Sequence, residues 1–183
     1  MPQRKTDREA VLEEAETLFR QKGYGNTTMA DIAKATGLLK GSLYYYFPSK
    51  EELALAILAR VGEKLRGMVA DRAYDESRPA SVRWHAIMEA TRAYFLETRG
   101  CLMGHMGLEV AEATLPFADR IRAFFEEWTA ALAHVLQSAY GPEEAQRLAN
   151  DAVARIEGAV LWLRICGDTG PLDRACDELA ELL

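Results

Sequence analysis

The chain has 183 residues, 49% of them apolar and 27% charged, with a formal charge of −6. That apolar content is enough to bury a core across one or two domains, which excludes a disordered chain. Residues 1–10 are charged and lack an apolar h-region, and no apolar run approaches the roughly 20 residues that span a bilayer, so neither a secretory signal nor a membrane partner is expected.

Helical periodicity runs through the whole chain, with no strand pattern and no internal repeat. Thr6, with Glu9 three residues on, reads as a capping box opening a first helix. Its inward residues are Val11, Ala15, Leu18 and Phe19, and Gly23 ends it. Residues 27–50, TTMADIAKATGLLKGSLYYYFPSK, then read as two short helices joined by a glycine turn. Thr28 caps the first of these, with Asp31 as an acidic variant of the capping-box partner, and Ile32 and Ala33 face inward. Gly37 supplies the positive φ that ends the helix, and Leu38 and Leu43 hold the next helix against it. That spacing meets the requirement of a helix-turn-helix.

The second helix is expected over residues 39–47, anchored by Leu43 and Phe47 four apart and stopped by Pro48. Its outward side presents Lys40, Gly41, Ser42, Tyr44 and Tyr45. Lysine, serine and tyrosine reach phosphates or base edges, and a glycine lets the backbone approach a duplex closely. Ser49 and Glu52 form a further capping box, which puts Lys50 in the first turn of the following helix. A helix dipole disfavours a cation there, so Lys50 is expected to answer a DNA phosphate; the alternative is a solvated surface lysine. Residues 1–50 carry eight basic and six acidic side chains, while the remainder has a net charge of −8. The basic excess therefore sits with the candidate reading head, and local field governs an encounter with phosphate.

The fourth helix carries Leu53, Ile57, Val61, Leu65 and Met68 at helical spacing and is expected to reach Asp71 or beyond. Residues 74–81, YDESRPAS, read as a loop. A fifth helix is expected over 79–98, with Val82, Ile87, Ala90 and Tyr94 inward, and Gly100 breaks it. A short helix over 102–113 follows, then one opened by Pro116 and reaching Tyr140, with Ile121, Phe124, Phe125, Trp128 and Leu132. Gly141 and Pro142 introduce a long helix over 143–167, and Gly170 and Pro171 a last one ending at Leu183. These two carry Leu148, Ala152, Ile156, Ala159 and Leu163, then Leu172, Ala175, Leu179 and Leu182. The small residues Ala152, Ala154, Gly158 and Ala159 would allow close helix approach.

The run EAVLEEAETLFRQKGYGNTTMADIAKATG at 9–37, continued by LLKGSLYYYFPSKEELALAIL at 38–58, resembles the N-terminal domain of TetR/AcrR-type transcriptional regulators. The match covers roughly the first third of the chain without gaps; Tyr46 departs from it, standing where many members carry His. The resemblance implies an all-α fold of about nine helices. A helix-turn-helix DNA-binding domain would occupy 1–50, a connecting helix 51–75, and a ligand-binding and dimerisation domain 76–183. It implies a cytoplasmic homodimer, joined through the last two helices, that binds a palindromic double-stranded operator and is released by an unknown small molecule. Thr28, Lys40, Gly41, Ser42, Tyr44, Tyr45 and Lys50 are the expected DNA contacts.

Trp84, Met88, Tyr94, Met103, Met106, Phe124, Trp128 and Trp162 are the candidate ligand lining, although helical spacing alone would produce such a set as ordinary core. Three cysteines, at 101, 166 and 176, make neither a disulfide framework nor a zinc pattern, which fits a reducing cytoplasm. Cys101 falls at a helix N-terminus, where a thiolate is favoured, so it is a candidate redox or electrophile sensor; the alternative is a small buried residue at a junction. His85, His105 and His134 stand singly, and no metal or cofactor is expected. An enzyme would need a paired carboxylate site, a phosphate loop or a nucleophile with its base, and none is recognisable. A helical interaction module without DNA binding would not need Lys40, Gly41, Ser42 and Lys50 together.

Overall fold

The computed structural model describes residues 8–111 and 117–183 and, among them, nine α-helices and no strand. They are α1 (Arg8–Lys22), α2 (Met29–Thr36), α3 (Lys40–Tyr46), α4 (Lys50–Ala73), α5 (Ala80–Thr98), α6 (Leu102–Ala111), α7 (Ala118–Leu136), α8 (Pro142–Cys166) and α9 (Gly170–Ala180). The all-α expectation holds. The Thr6 capping box, the end of the sixth helix at 113 and the helix start at Pro116 lie outside the described residues. Contacts divide the chain into two compact units that do not follow chain order: Met1–Val61 with Leu102–Ile121, and Gly62–Cys101 with Arg122–Leu183.

In the first unit α1 packs on α2 and α6, and α2 on α3. Its core draws Val11, Leu12, Ala15 and Phe19 from α1, Ile32 and Ala33 from α2, Leu43 and Phe47 around α3, and Leu53, Ala54, Ile57 and Leu58 from α4. The stripe on α1 therefore runs through Leu12, and Leu18, expected inward, falls at its half-buried edge. Beside this core Arg60 of α4 reaches three carboxylates of α1, with Nη1 2.6 Å from Glu9, Nη2 3.1 Å from Glu13 and Nε 3.9 Å from Glu16. Glu16 is buried and also receives Arg20, whose Nη2 lies 2.9 Å away. A buried carboxylate costs stability unless it is paired, and two guanidiniums supply the pairing.

In the second unit α9 packs against both α8 and α5. The buried stripe of α5 is Trp84, Ile87, Met88, Thr91 and Phe95. Of the four residues expected inward Ile87 is buried, but Ala90 and Tyr94 are half-buried and Val82 is exposed, so the helix is turned by part of a turn from the expected phase. The indole decided it. Trp84 is fully buried and its Nε1 donates to the Leu179 carbonyl at 2.7 Å, so the largest apolar surface of α5 sets the helix rotation. Arg92 pairs with Asp177 across the same seam, and the Tyr140 hydroxyl donates to the Leu182 carbonyl at 3.2 Å.

Two helices end earlier than expected. α7 stops at Leu136, where the Ser138 and Ala139 N–H groups turn back to the Val135 and Leu136 carbonyls in tighter bonds. α9 stops at Ala180, with Leu182 N–H on the Leu179 carbonyl. On α8 Ala152, Ile156, Ala159 and Leu163 are buried as expected, while Leu148 is half-buried.

Candidate nucleic-acid interface

α2 begins with a full capping box. Thr28 Oγ1 accepts from the Asp31 N–H at 3.1 Å, and Asp31 Oδ2 accepts from the Thr28 N–H at 2.9 Å. Bonds from Thr28 hold the Asp31 carboxyl below its usual range. Gly37 ends the helix at φ 69°, a left-handed conformation, and the Leu38 N–H returns to the Ala33 carbonyl at 3.0 Å. The turn thus places α3 against α2 with Leu43 fully buried and Phe47 nearly so.

Lys40, Gly41, Ser42, Tyr44 and Tyr45 are all exposed on α3, as the sequence pattern requires of a reading helix. Tyr45 is 85% exposed, its ring edge-on to Tyr46 at 5.7 Å. Gly41 takes no positive φ, and a Cβ built there meets nothing within 4 Å. Glycine inside a helix costs about 0.5–1 kcal/mol relative to alanine, and nothing in the fold requires it here. Thr28 is exposed at the start of α2, with its hydroxyl engaged in the cap.

Lys50 turns inward instead of outward. Its Nζ donates to the carbonyls of Tyr24 at 2.9 Å and Thr27 at 3.0 Å and lies 4.1 Å from the centre of the Tyr24 ring. Burial depresses its ammonium below the ordinary lysine value, while the Glu109 carboxylate acts the other way. The cation at the start of α4 is therefore answered by two backbone carbonyls of the α1–α2 connection. That connection is held from a second side. Glu109 of α6 accepts from the N–H of Tyr24 at 2.8 Å and of Gly25 at 2.6 Å.

The Tyr24 ring packs edge-on between Phe19, at 5.5 Å, and Phe117, at 5.0 Å. Burial, followed by the charges of Glu51 and Glu109, pushes its phenol above the ordinary tyrosine value. Gly23 is required here, since φ is +84° and a Cβ would sit 2.8 Å from Glu109 Oε1. Sequence reading missed this clamp, because no local pattern links Tyr24 to a carboxylate 85 residues away. It also passed over Leu39 and Arg8; the Arg8 guanidinium lies 4.8 Å over the Phe47 ring.

Of the eight candidate lining residues, six belong to the second unit and two to the first. Trp84 and Met88 are core, and the Trp84 indole is already satisfied. Tyr94 is half-buried, edge-on to Phe95. Phe124 and Trp128 join Phe95 and Phe125 in an aromatic cluster of the second unit. They line a recess between α4 and α7 with Leu65, Val69 and Ala131, and Arg66 and Glu127 pair beside it at 3.2 Å. Its volume, about 30 Å³, is room for two or three waters, against the roughly 300 Å³ at which drug-sized pockets begin. The Trp128 Nε1 donor at this recess is buried without a hydrogen-bond partner, as is Thr91 Oγ1 on α5. Met103 and Met106 are buried on α6 in the first unit. Trp162 is 52% exposed in an open groove of about 410 Å³ along α8 and α9, with Leu161 and Ile165 exposed on the same helix.

Cys101 is buried, and its thiol bonds to the Glu157 carboxyl, which lack of solvation pushes up to about 7. A reactive thiol has to be reachable, and this one is 7% exposed. Among the described residues no cluster of His, Cys, Asp and Glu fits a metal ion, and no helix is long and apolar enough to cross a membrane.

Two family models match the chain. One described as bacterial regulatory proteins of the tetR family covers residues 11–57, and one described as the C-terminal domain of LmrA/YxaF-like transcriptional regulators covers residues 83–178. The chain is 30% identical over 181 residues to the HTH-type transcriptional regulator LmrA of Bacillus subtilis (strain 168), spanning 96% of each protein. It is 26% identical over 190 residues to the HTH-type transcriptional repressor DhaR of Mycobacterium sp. (strain GP1), spanning 96% of this chain and 91% of that one. A crystal structure of a TetR transcriptional regulator from Legionella pneumophila superposes with a TM-score of 0.85 at 25% identity, covering 100% of this chain and 98% of the other.

Proposed function

Because the chain belongs to the TetR family of bacterial transcriptional regulators, DNA-binding proteins and not enzymes, we propose that it acts as a homodimeric repressor that binds a palindromic operator and is released by a small molecule. The observation that carries the reading is the outward row of α3. Lys40, Gly41, Ser42, Tyr44 and Tyr45 are exposed together on a helix whose other side is locked by Leu43 and Phe47. Lys40 and the tyrosine hydroxyls engage phosphate oxygens, Ser42 and Tyr45 reach base edges, and Gly41 admits the backbone of the duplex. Thr28, at the exposed start of α2, meets a phosphate beside them.

Two such helices enter successive major grooves, roughly 34–36 Å apart. The exposed apolar residues Leu161, Trp162 and Ile165 of α8, with Gly158 of the same helix lining the groove beside Trp162, support a homodimer seam on α8 and α9. The recess beside Phe124 and Trp128 supports an apolar effector, which must open it to enter. Release then depends on how much better the effector binds the opened form than the DNA-bound one. In this scheme residues 1–50 read DNA, 51–75 connect, and 76–183 dimerise and take the effector. The kinship to the repressor DhaR supports repression as the sign of control.

The test is a shift assay with full-length protein on the duplex upstream of its own gene, against a random duplex of equal length. A shift at least a hundredfold tighter on the upstream duplex supports the reading. Equal affinity for both across the salt range sinks it.

A further inference from the structure

Leu39 is out of place by every local rule of this fold. It is the N-cap residue of α3, at φ −67° and ψ 145°, and its side chain makes no capping bond. Helix N-caps favour Ser, Thr, Asp and Asn, whose oxygens satisfy the first free N–H groups, and leucine offers nothing in their stead. It gives nothing to the core either, being 81% exposed, while Leu43 behind it is fully buried and does the anchoring. A single exposed leucine is ordinary on a protein surface, but this one stands at the head of the reading row, next to Lys40 and Gly41, where its apolar surface would meet a duplex laid along α3.

The chemistry of that row narrows the partner. Residues 38–50 contain no Arg, Asn, Gln, Asp or Glu, so α3 cannot make the bidentate contacts by which those residues distinguish guanine, adenine or cytosine. Lys40 remains as the one charged donor of α3 for a guanine edge or a phosphate. The other specific feature a major groove offers is the C5-methyl of thymine, which is read by apolar contact. We propose that Leu39 is a specificity-determining residue of the DNA interface and that it reads the thymine methyl group at one position of each operator half-site. The inference rests on the operator-binding reading above and adds a base identity to it.

Full-length protein first selects its operator from a pool of random duplexes. Its affinity is then measured on that operator and on copies in which each thymine in turn is replaced by deoxyuridine, which lacks only the methyl group. At one thymine per half-site, deoxyuridine weakens wild-type binding about fourfold, the factor for one buried methyl. Leu39→Ala binds the thymine and deoxyuridine duplexes equally. Leu39→Ser, which restores a capping side chain, melts at or above the wild-type temperature and shows the same indifference, so lost discrimination is separated from lost folding. A selected operator on which every deoxyuridine copy affects wild type and Leu39→Ala alike overturns the inference and leaves operator binding standing. A selection that returns no consensus overturns the operator reading itself, and this inference with it.

Discussion

Glu109 and Tyr24, 85 residues apart, are joined by a 2.8 Å hydrogen bond from the Tyr24 N–H to the Glu109 carboxylate, and Lys50 closes the same connection by donating to the Tyr24 carbonyl at 2.9 Å. The segment between α1 and α2 is thus held by an anion on its N–H groups and a cation on its carbonyls. Each partner satisfies backbone groups that have no helix to satisfy them.

Glu109→Gln keeps the size of the side chain and removes its charge. Bonds from Tyr24 and Gly25 weaken, and the field that offsets the burial of Lys50 is lost. The expected outcome is a loss of about 1–3 kcal/mol in stability, read by denaturant unfolding. Operator affinity should fall as well, although Glu109 touches no DNA in the proposed interface. Unchanged unfolding would remove the clamp from the account.

Lys50 and Lys40 should separate in a salt titration. Lys40 is exposed on α3, so Lys40→Ala should flatten the dependence of log affinity on log salt by about 0.9 for each lost phosphate contact. Lys50 has its ammonium on two carbonyls and a ring, so Lys50→Ala should lower stability and affinity while leaving that slope as it is. A flattened slope in the Lys50 variant would restore the phosphate role expected from sequence.

Gly41→Ala should stabilise the protein and impair it. The position is helical, takes no positive φ and has open space around it, so alanine is expected to add about 0.5–1 kcal/mol to unfolding. The added methyl stands on the outward row of α3 and should weaken operator binding. A variant that gains stability with full affinity would show that the duplex does not approach the backbone there.

Glu157 makes stability fall as pH rises. Loss of solvation lifts its folded value from 4.5 to about 7, so between those limits the folded chain keeps a proton that the unfolded chain has lost. The contribution is fully present below pH 4.5 and is gone above about 7. The whole span amounts to roughly 3 kcal/mol at most. Glu157→Gln should be flatter than wild type across this window, measured by denaturation midpoints at pH 5 and pH 8.

The DNA-reading half was legible in the sequence because its logic is local. A threonine cap, an aspartate three residues on, a glycine able to turn left-handed and a proline after α3 are short-range rules, and each was found where its pattern placed it. Helix existence carried through the rest of the chain for the same reason. Rotation carried through only in part: on α5 the pattern gave Ile87, which is buried, together with Val82, Ala90 and Tyr94, and the burial of Trp84 against Leu179 turned those three away from the centre of the core. Of the aromatic and methionine residues expected to share one lining, Trp84 and Met88 serve the α5 core, Phe124 and Trp128 form a cluster on α7, and Trp162 stands on the exposed face of α8.

By itself the sequence determined an all-helical chain, a helix-turn-helix and the identity of the residues on its outer row, since cap, turn and period depend on neighbours within a few positions. Only the tertiary structure decided that Lys50 faces the fold, that Glu109 holds the loop before α2, and that Cys101 is sealed beside Glu157. Those outcomes are set by desolvation and by charges far apart along the chain. A carboxylate or an ammonium takes whichever partner the packed helices bring to it, and spacing along the sequence carries no record of that choice.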